Sequence, residues 1–309
     1  MTPSRSTPLT GIAFKVGSVL IFLVMSSLLK ASTGVPAGEL VFFRSFFGVL
    51  PVVVFLAARG ELRAGLKSNN VPSQIWRGLV GTVSMGLGFF ALTRLPLPEA
   101  VTINYAMPLV IVIFSAIFLH ETVRLYRWTA VVVGLLGVVV IAWPQLTLFS
   151  HGVDSGAAIG VVAAISAACL GAVAQLLVRK LIQTERSATI VLYFLVSSSA
   201  ISLLSVPFGW VMPSPLIATY LVGAGIAGGI AQILLTESYR HADMSVVAPF
   251  EYSSLIFSVL IGFVFFGDVP TWFMLIGGVI VVGSGLFIIY REHRLGRARP
   301  EKPVVTPQG

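Results

Sequence analysis

Three charged side chains stand inside long apolar stretches of this sequence: Lys15, Arg44 and Glu251. A charge at the centre of a hydrocarbon layer costs about 2.5–3.5 kcal/mol on insertion scales, so residues kept there are candidates for work on a solute or an ion. Helical rise sorts them by depth. Lys15 lies about 6 Å from one edge and Glu251 about 9 Å from the same edge, so the two can pair. Arg44 and Asn104 share the depth near the opposite edge, with Tyr105 beside Asn104. Glu39 and Glu99, at that boundary, are in range to serve Arg44. Gln175, Gln232 and Tyr252 add hydrogen-bonding groups within apolar segments. Each has a plainer reading. Lys15 can snorkel to the surface, Arg44 can hold two helices in a static pair, and a glutamine can bond helix to helix for under about 2 kcal/mol. Glu251 resists the plain reading, because Pro249 disrupts the backbone two residues before it.

Other chemistry is missing its parts. The histidines at 120, 151, 241 and 293 form no H-E-x-x-H pair, and His120-Glu121 runs on into Thr-Val-Arg. Phosphate-cradling P-loops and G-x-S-x-G elbows do not occur. The single cysteine, Cys169, excludes a disulfide framework and a cysteine-based metal cluster. No cofactor and no enzyme activity is expected.

These residues must be positioned by helices that cross a membrane. The 309 residues are 56% apolar and only 10% charged, with a mean hydropathy of +0.96. An average soluble domain is about 25% charged. A spanning helix needs about 20 apolar residues, and ten segments qualify: 11–30, 39–58, 77–95, 100–119, 128–144, 155–178, 188–208, 215–236, 245–266 and 271–290. Runs such as Val131–Ile141 do not alternate, which excludes a β-barrel. The fold class is therefore an all-α membrane protein. The first span follows Arg5 like a secretory signal, but its length and the nine spans after it argue for an uncleaved helix.

Charge sets the orientation. With the N-terminus inside, 16 of the 20 lysines and arginines fall on inner ends or loops, and only Lys30 and Arg94 on outer ones. The inner set includes Arg59, Arg63 and Lys67 before the third span, Arg77 at its inner end, and the basic tail from Arg291. Positive residues mark cytoplasmic loops, so both termini are expected in the cytoplasm. The net charge of +8 serves topology rather than nucleic acid. Residues 1–10 and 291–309 read as cytoplasmic ends.

The chain also repeats itself. At an offset of 147, Ile103-Asn104-Tyr105-Ala106 falls on Phe250-Glu251-Tyr252-Ser253, and the register continues to His120-Glu121 on Gly267-Asp268. At an offset of 143, Gly86 falls on Gly229 and Leu92-Thr93 on Leu235-Thr236. Residues 11–144 and 155–290 read as two five-helix repeats. An odd number of spans per repeat forces opposite orientations, the pattern of secondary transporters. Pro108 and Pro249 sit in corresponding spans and would free the carbonyls of Asn104 and Ser245. Gly225-x-x-x-Gly229 reads as close helix packing. The fifth and tenth spans contain no ionisable side chain between Trp128 and Trp143 or between Trp272 and Tyr290, so they can face lipid all round.

The sequence resembles the EamA-like branch of the drug/metabolite transporter superfamily. The resemblance rests on two motifs. Phe118-Leu119-His120-Glu121 precedes Gly134-Leu135-Leu136-Gly137, and Phe266-Gly267-Asp268 precedes Gly277-Gly278. It covers about residues 11–290. It implies ten helices in two halves, peripheral fifth and tenth helices, and transport of a small organic metabolite in the bacterial inner membrane. Leu95-Pro96-Leu97-Pro98-Glu99-Ala100 and Ala248-Pro249-Phe250-Glu251-Tyr252 resemble a bacterial subgroup that includes riboflavin transporters. Riboflavin uptake and export of amino acids or related metabolites both stand as readings. A membrane enzyme or a channel is the rival of another class. Partners are a small-molecule substrate and the lipid bilayer, with a homodimer left open.

Overall fold

The structure is a computed structural model and describes residues 8–118, 125–147, 155–181, 184–241 and 248–297. The regular structure of the described residues is helical, with no strand among them. The elements are α1 (Pro8–Ala31), α2 (Ala37–Ala58), the short α3 (Leu62–Gly65), α4 (Val71–Arg94), α5 (Leu97–Asn104), α6 (Ala106–Phe118), α7 (Leu125–Thr147), α8 (Ser155–Leu181), α9 (Ser187–Ser202) and α10 (Pro215–His241). A 3₁₀ turn at Ala248–Tyr252 leads into α11 (Ser253–Ile261), and α12 (Trp272–Arg297) ends the chain's described part. Among the described residues, eight helical stretches are long and apolar enough to cross a membrane. Two more, Trp128–Trp143 and Phe250–Phe266, are apolar but shorter. They fall on the expected fifth and ninth spans.

Two helices break where the aligned sequences meet. α5 stops at Asn104, Tyr105 caps it, and α6 restarts at Ala106. Pro108 then sits in the first turn of α6, where its missing N–H costs nothing. In the second half the break is the 3₁₀ turn at Ala248–Tyr252, and α11 restarts at Ser253. Ser245 and Glu121 lie outside the described residues.

Packing runs in pairs. α1 lies along α10, α4 along α8, α2 along both α9 and α10, and α7 along α12. α2 meets α10 through bare backbone: a Cβ on Gly225 would lie 2.8 Å from the Phe43 carbonyl oxygen. That contact is the close packing expected of Gly225-x-x-x-Gly229. α7 and α12 do not face lipid all round, contrary to expectation. A Cβ on Gly277 would lie 2.6 Å from the Gly137 carbonyl oxygen, so each of these two helices buries one face against the other. Small residues permit this, because in lipid helices associate by close van der Waals contact.

Polar contacts of charged side chains also tie the two ends of the bundle. One end holds Lys30 Nζ 2.7 Å from Asp268 Oδ2 and Glu39 Oε2 accepting from the Val211 amide at 3.1 Å. The other holds Arg59 Nη1 3.3 Å from Glu237 Oε1. There too, Glu185 Oε1 accepts from Ser68 Oγ at 2.8 Å and from the Asn70 amide at 2.9 Å, anchoring the turn that starts α4.

Candidate functional site

The breaks at Tyr105 and at Ala248–Tyr252 open onto a common cavity of about 470 Å³. Lys15, Asn104, Tyr105, Gln175, Glu251, Tyr252 and Ser254 line it, with apolar side chains of α1, α6, α10 and α12 between them. A smaller cavity of about 230 Å³ adjoins it and shares Ser26, Val101 and Asn104. Its wall continues past Leu92 to Leu97, toward the end that carries Lys30 and Asp268.

The ion pair expected from depth alone is formed: Lys15 Nζ donates to Glu251 Oε2. Its members are unequal. Lys15 is 2% exposed, whereas half of the Glu251 side chain is open. The lysine is thus held in the wall, and the carboxylate faces the cavity. Local backbone fixes both. Ser18 Oγ donates to the Lys15 carbonyl at 2.8 Å, and Ser254 Oγ to the Glu251 carbonyl at 2.7 Å. Short side chains such as serine commonly bond the backbone one turn back in this way.

The aligned tyrosines meet. Tyr105 and Tyr252 lie edge to face, centroids 5.2 Å apart at 64°. Tyr105 Oη also shares a hydrogen bond with Ser254 Oγ. Two tyrosines, a serine and an ion pair give the cavity a flat aromatic wall beside a charged corner. Such a surface can stack a planar group and hydrogen-bond its edge.

Two expected residues are not part of this wall. Arg44 lies on α2, whose buried face turns toward α9 and α10, and its guanidinium carbon is 5.8 Å from the Phe194 ring centroid. It does not join Asn104 and Tyr105. Glu39 bonds Val211 instead, and among the described residues Arg44 Nε and Nη1 have no hydrogen-bond partner. Gln232 does not line the cavity, where α10 contributes Leu235, one turn on.

Two features escaped the sequence reading. Arg77 was counted with the cytoplasmic loop, but α4 begins at Val71 and carries it into the bundle, 3.6 Å over the Phe194 ring. Lys30 and Asp268 were seen as separate span ends, yet they pair across the bundle. The signal for that pair was available, because both stand at the same predicted face with opposite charge.

Comparison with known proteins agrees with this geometry. The sequence profile described as the EamA-like transporter family matches twice, at residues 9–143 and 156–290. The chain belongs to the EamA-like transporter family. Its relatives include the pseudopaline exporter CntI of Pseudomonas aeruginosa, 30% identical over 88% of this chain and 93% of that protein. An S-adenosylmethionine uptake transporter of Rickettsia conorii is 30% identical over 95% and 97%. A riboflavin transporter of Vibrio cholerae is 26% identical over 94% and 96%. One solved structure superposes with a TM-score of 0.65 at 22% identity, covering 94% of this chain and 99% of that one, a likeness of fold. Family and relatives alike are transporters, not enzymes.

Proposed function

We propose that this EamA-family protein is a secondary transporter of the bacterial inner membrane, working by alternating access between two inverted five-helix repeats. The two shorter apolar helices are read as spans five and nine, giving ten in all. The exchange symmetry of the packing supports the repeats: α1 on α10 corresponds to α8 on α4, and α7 on α12 and α2 on α9 are pairs of equivalent helices. Both termini are placed in the cytoplasm. A reporter fused after Arg294 is then expected to work only in a cytoplasm-active form. Activity of a periplasm-only reporter at that position would overturn the assignment.

The observation that carries the functional reading is the Lys15–Glu251 pair at the wall of the cavity. Lys15, Asn104, Tyr105, Gln175, Glu251 and Tyr252 form the proposed substrate and coupling site. Its substrate is a small polar or amphipathic metabolite, with riboflavin uptake as the leading case and export of an amino acid or related metabolite as the second. The relatives' names span uptake and export, so the family leaves direction to experiment. Purified protein in liposomes is expected to give saturable flux and counterflow with one member of a panel of riboflavin, S-adenosylmethionine, amino acids and nucleosides. Flux that neither saturates nor shows counterflow would make the protein a channel.

A further inference from the structure

A second cluster of buried polar groups lies away from the cavity, where α2, α4 and α9 meet. Arg44 is 5% exposed and Gln74 1% exposed. Arg44 Nε and Nη1, Arg77 Nε and Nη1, and both side-chain polar atoms of Gln74 are buried without a hydrogen-bond partner among the described residues. The hydroxyls of Ser45 and Thr189 are in the same condition. Folded proteins leave only a few such groups per 100 residues unpaired, and two neighbouring arginines among them call for a missing partner.

The kind of partner follows from the chemistry of the set. A guanidinium can only donate, so its partner must accept. The Phe194 ring lies against both guanidiniums, 3.6 Å from Arg77 Cζ and 5.8 Å from Arg44 Cζ. A ring face attracts a cation but satisfies no N–H. No carboxylate among the described residues forms an ion pair with either arginine. Two like charges on one ring repel, and a group with negative charge and several acceptor oxygens would relieve both faults at once. Planar guanidiniums match the oxygen spacing of carboxylate and phosphate. Gln74, one turn before Arg77 on α4, adds a buried neutral donor. Arg77 is partly exposed, so the cluster is not sealed.

We propose that Arg44, Arg77 and Gln74 form an internal anion site that takes the carboxylate or phosphate group of a small solute. The site is independent of the reading given to Lys15 and Glu251. It joins α2 and α4 of the first half to α9 of the second, so an anion held there would tie the halves together.

The test uses the full chain, purified in neutral detergent, with chloride as the reference salt at constant ionic strength. Acetate and inorganic phosphate are the probes, and tryptophan-fluorescence melting is the readout. A ligand that binds only the folded state raises the midpoint, and at saturation a rise of about 2–4 °C is expected with at least one probe. Arg44→Met and Arg77→Met should abolish that rise. Their midpoints without probe should equal or exceed the wild-type value, because each removes an unpaired buried charge. A purely structural pair of arginines predicts the reverse, a lower midpoint in both variants. Should either methionine variant fail to fold, Arg77→Lys keeps the charge but loses the planar fork, and the probe concentration at half-effect should rise about tenfold or more. A further arm compares nanodiscs of phosphatidylcholine with and without phosphatidylglycerol. A rise seen only with phosphatidylglycerol, and lost in Arg77→Met, would name a lipid headgroup as the source of the same acidic group. No anion-specific rise in any arm, or a rise that persists in Arg44→Met/Arg77→Met, would overturn the site.

Discussion

Glu251→Gln should leave the protein folded and inserted but cut transport at least about tenfold, equivalent to about 1.4 kcal/mol in the barrier. The amide keeps the size of the side chain and removes its charge. Lys15, 2% exposed, then loses the Glu251 carboxylate. Removing one member of a buried ion pair costs about 3–5 kcal/mol in the worst case. Half of the Glu251 side chain is open to the cavity, so water can take part of the load and the cost to folding falls well below that range. The cost to transport does not fall with it, because the charged corner of the site is gone. The check is initial uptake into proteoliposomes at matched protein content. If Glu251 carries a coupling proton, the variant should also lose the pH dependence of uptake while still exchanging substrate. Wild-type, pH-dependent flux from a well-expressed Glu251→Gln protein would end this account. Loss of expression would point instead to a static pair, and Lys15→Met combined with Glu251→Gln should then restore folding.

The Lys15–Glu251 contact was legible without a structure because helical rise turns sequence position into depth. Two charges of opposite sign at one depth in an apolar slab have strong reason to meet. The repeat did similar work for Tyr105 and Tyr252, which align in sequence and touch in the fold. What depth cannot supply is rotation. Spans that are apolar all round carry little 3.6-residue periodicity to say which face turns inward. Arg44 was therefore given the right depth and the wrong neighbours. The same limit hid the contact between Gly137 and Gly277, since uniformly apolar helices look lipid-facing from every side. Arg77 was lost for a different reason. The apolar run of the third span begins at Arg77, so the residue reads as flank, whereas α4 extends back to Val71.

Asp268→Asn should make the cavity easier to reach from the face that carries Lys30. The carboxylate at that end makes two contacts. Oδ2 accepts from Lys30 Nζ at 2.7 Å and from the Leu97 amide at 3.0 Å. Lys30 Nζ also donates to the Leu95 carbonyl at 3.3 Å and lies 5.0 Å from the Phe266 ring centroid. One ion pair thus ties the end of α1 to the connection between α4 and α5 and to the turn before α12. Leu97 lines the smaller cavity, so this latch stands where that cavity would open to the far face. Both partners are mostly buried, at 15% and 16% exposed. Such a pair falls between an exposed one, worth about 0–1 kcal/mol, and a buried one, whose breaking costs about 3–5 kcal/mol. Taking about 1.5 kcal/mol, its loss would shift an open–closed equilibrium about tenfold. Asparagine can still accept from the Leu97 amide, so the variant tests the charge and spares the turn. The measurement is the labelling rate of Asn104→Cys in intact cells by an impermeant thiol reagent, on a Cys169→Ser background. An increase of about tenfold in the Asp268→Asn variant is expected, and the exchange Lys30→Asp/Asp268→Lys should bring the rate back down. An unchanged rate would reduce the pair to a static cap on the end of α1. A faster rate that substrate then suppresses would make the latch one of the two gates that alternating access requires.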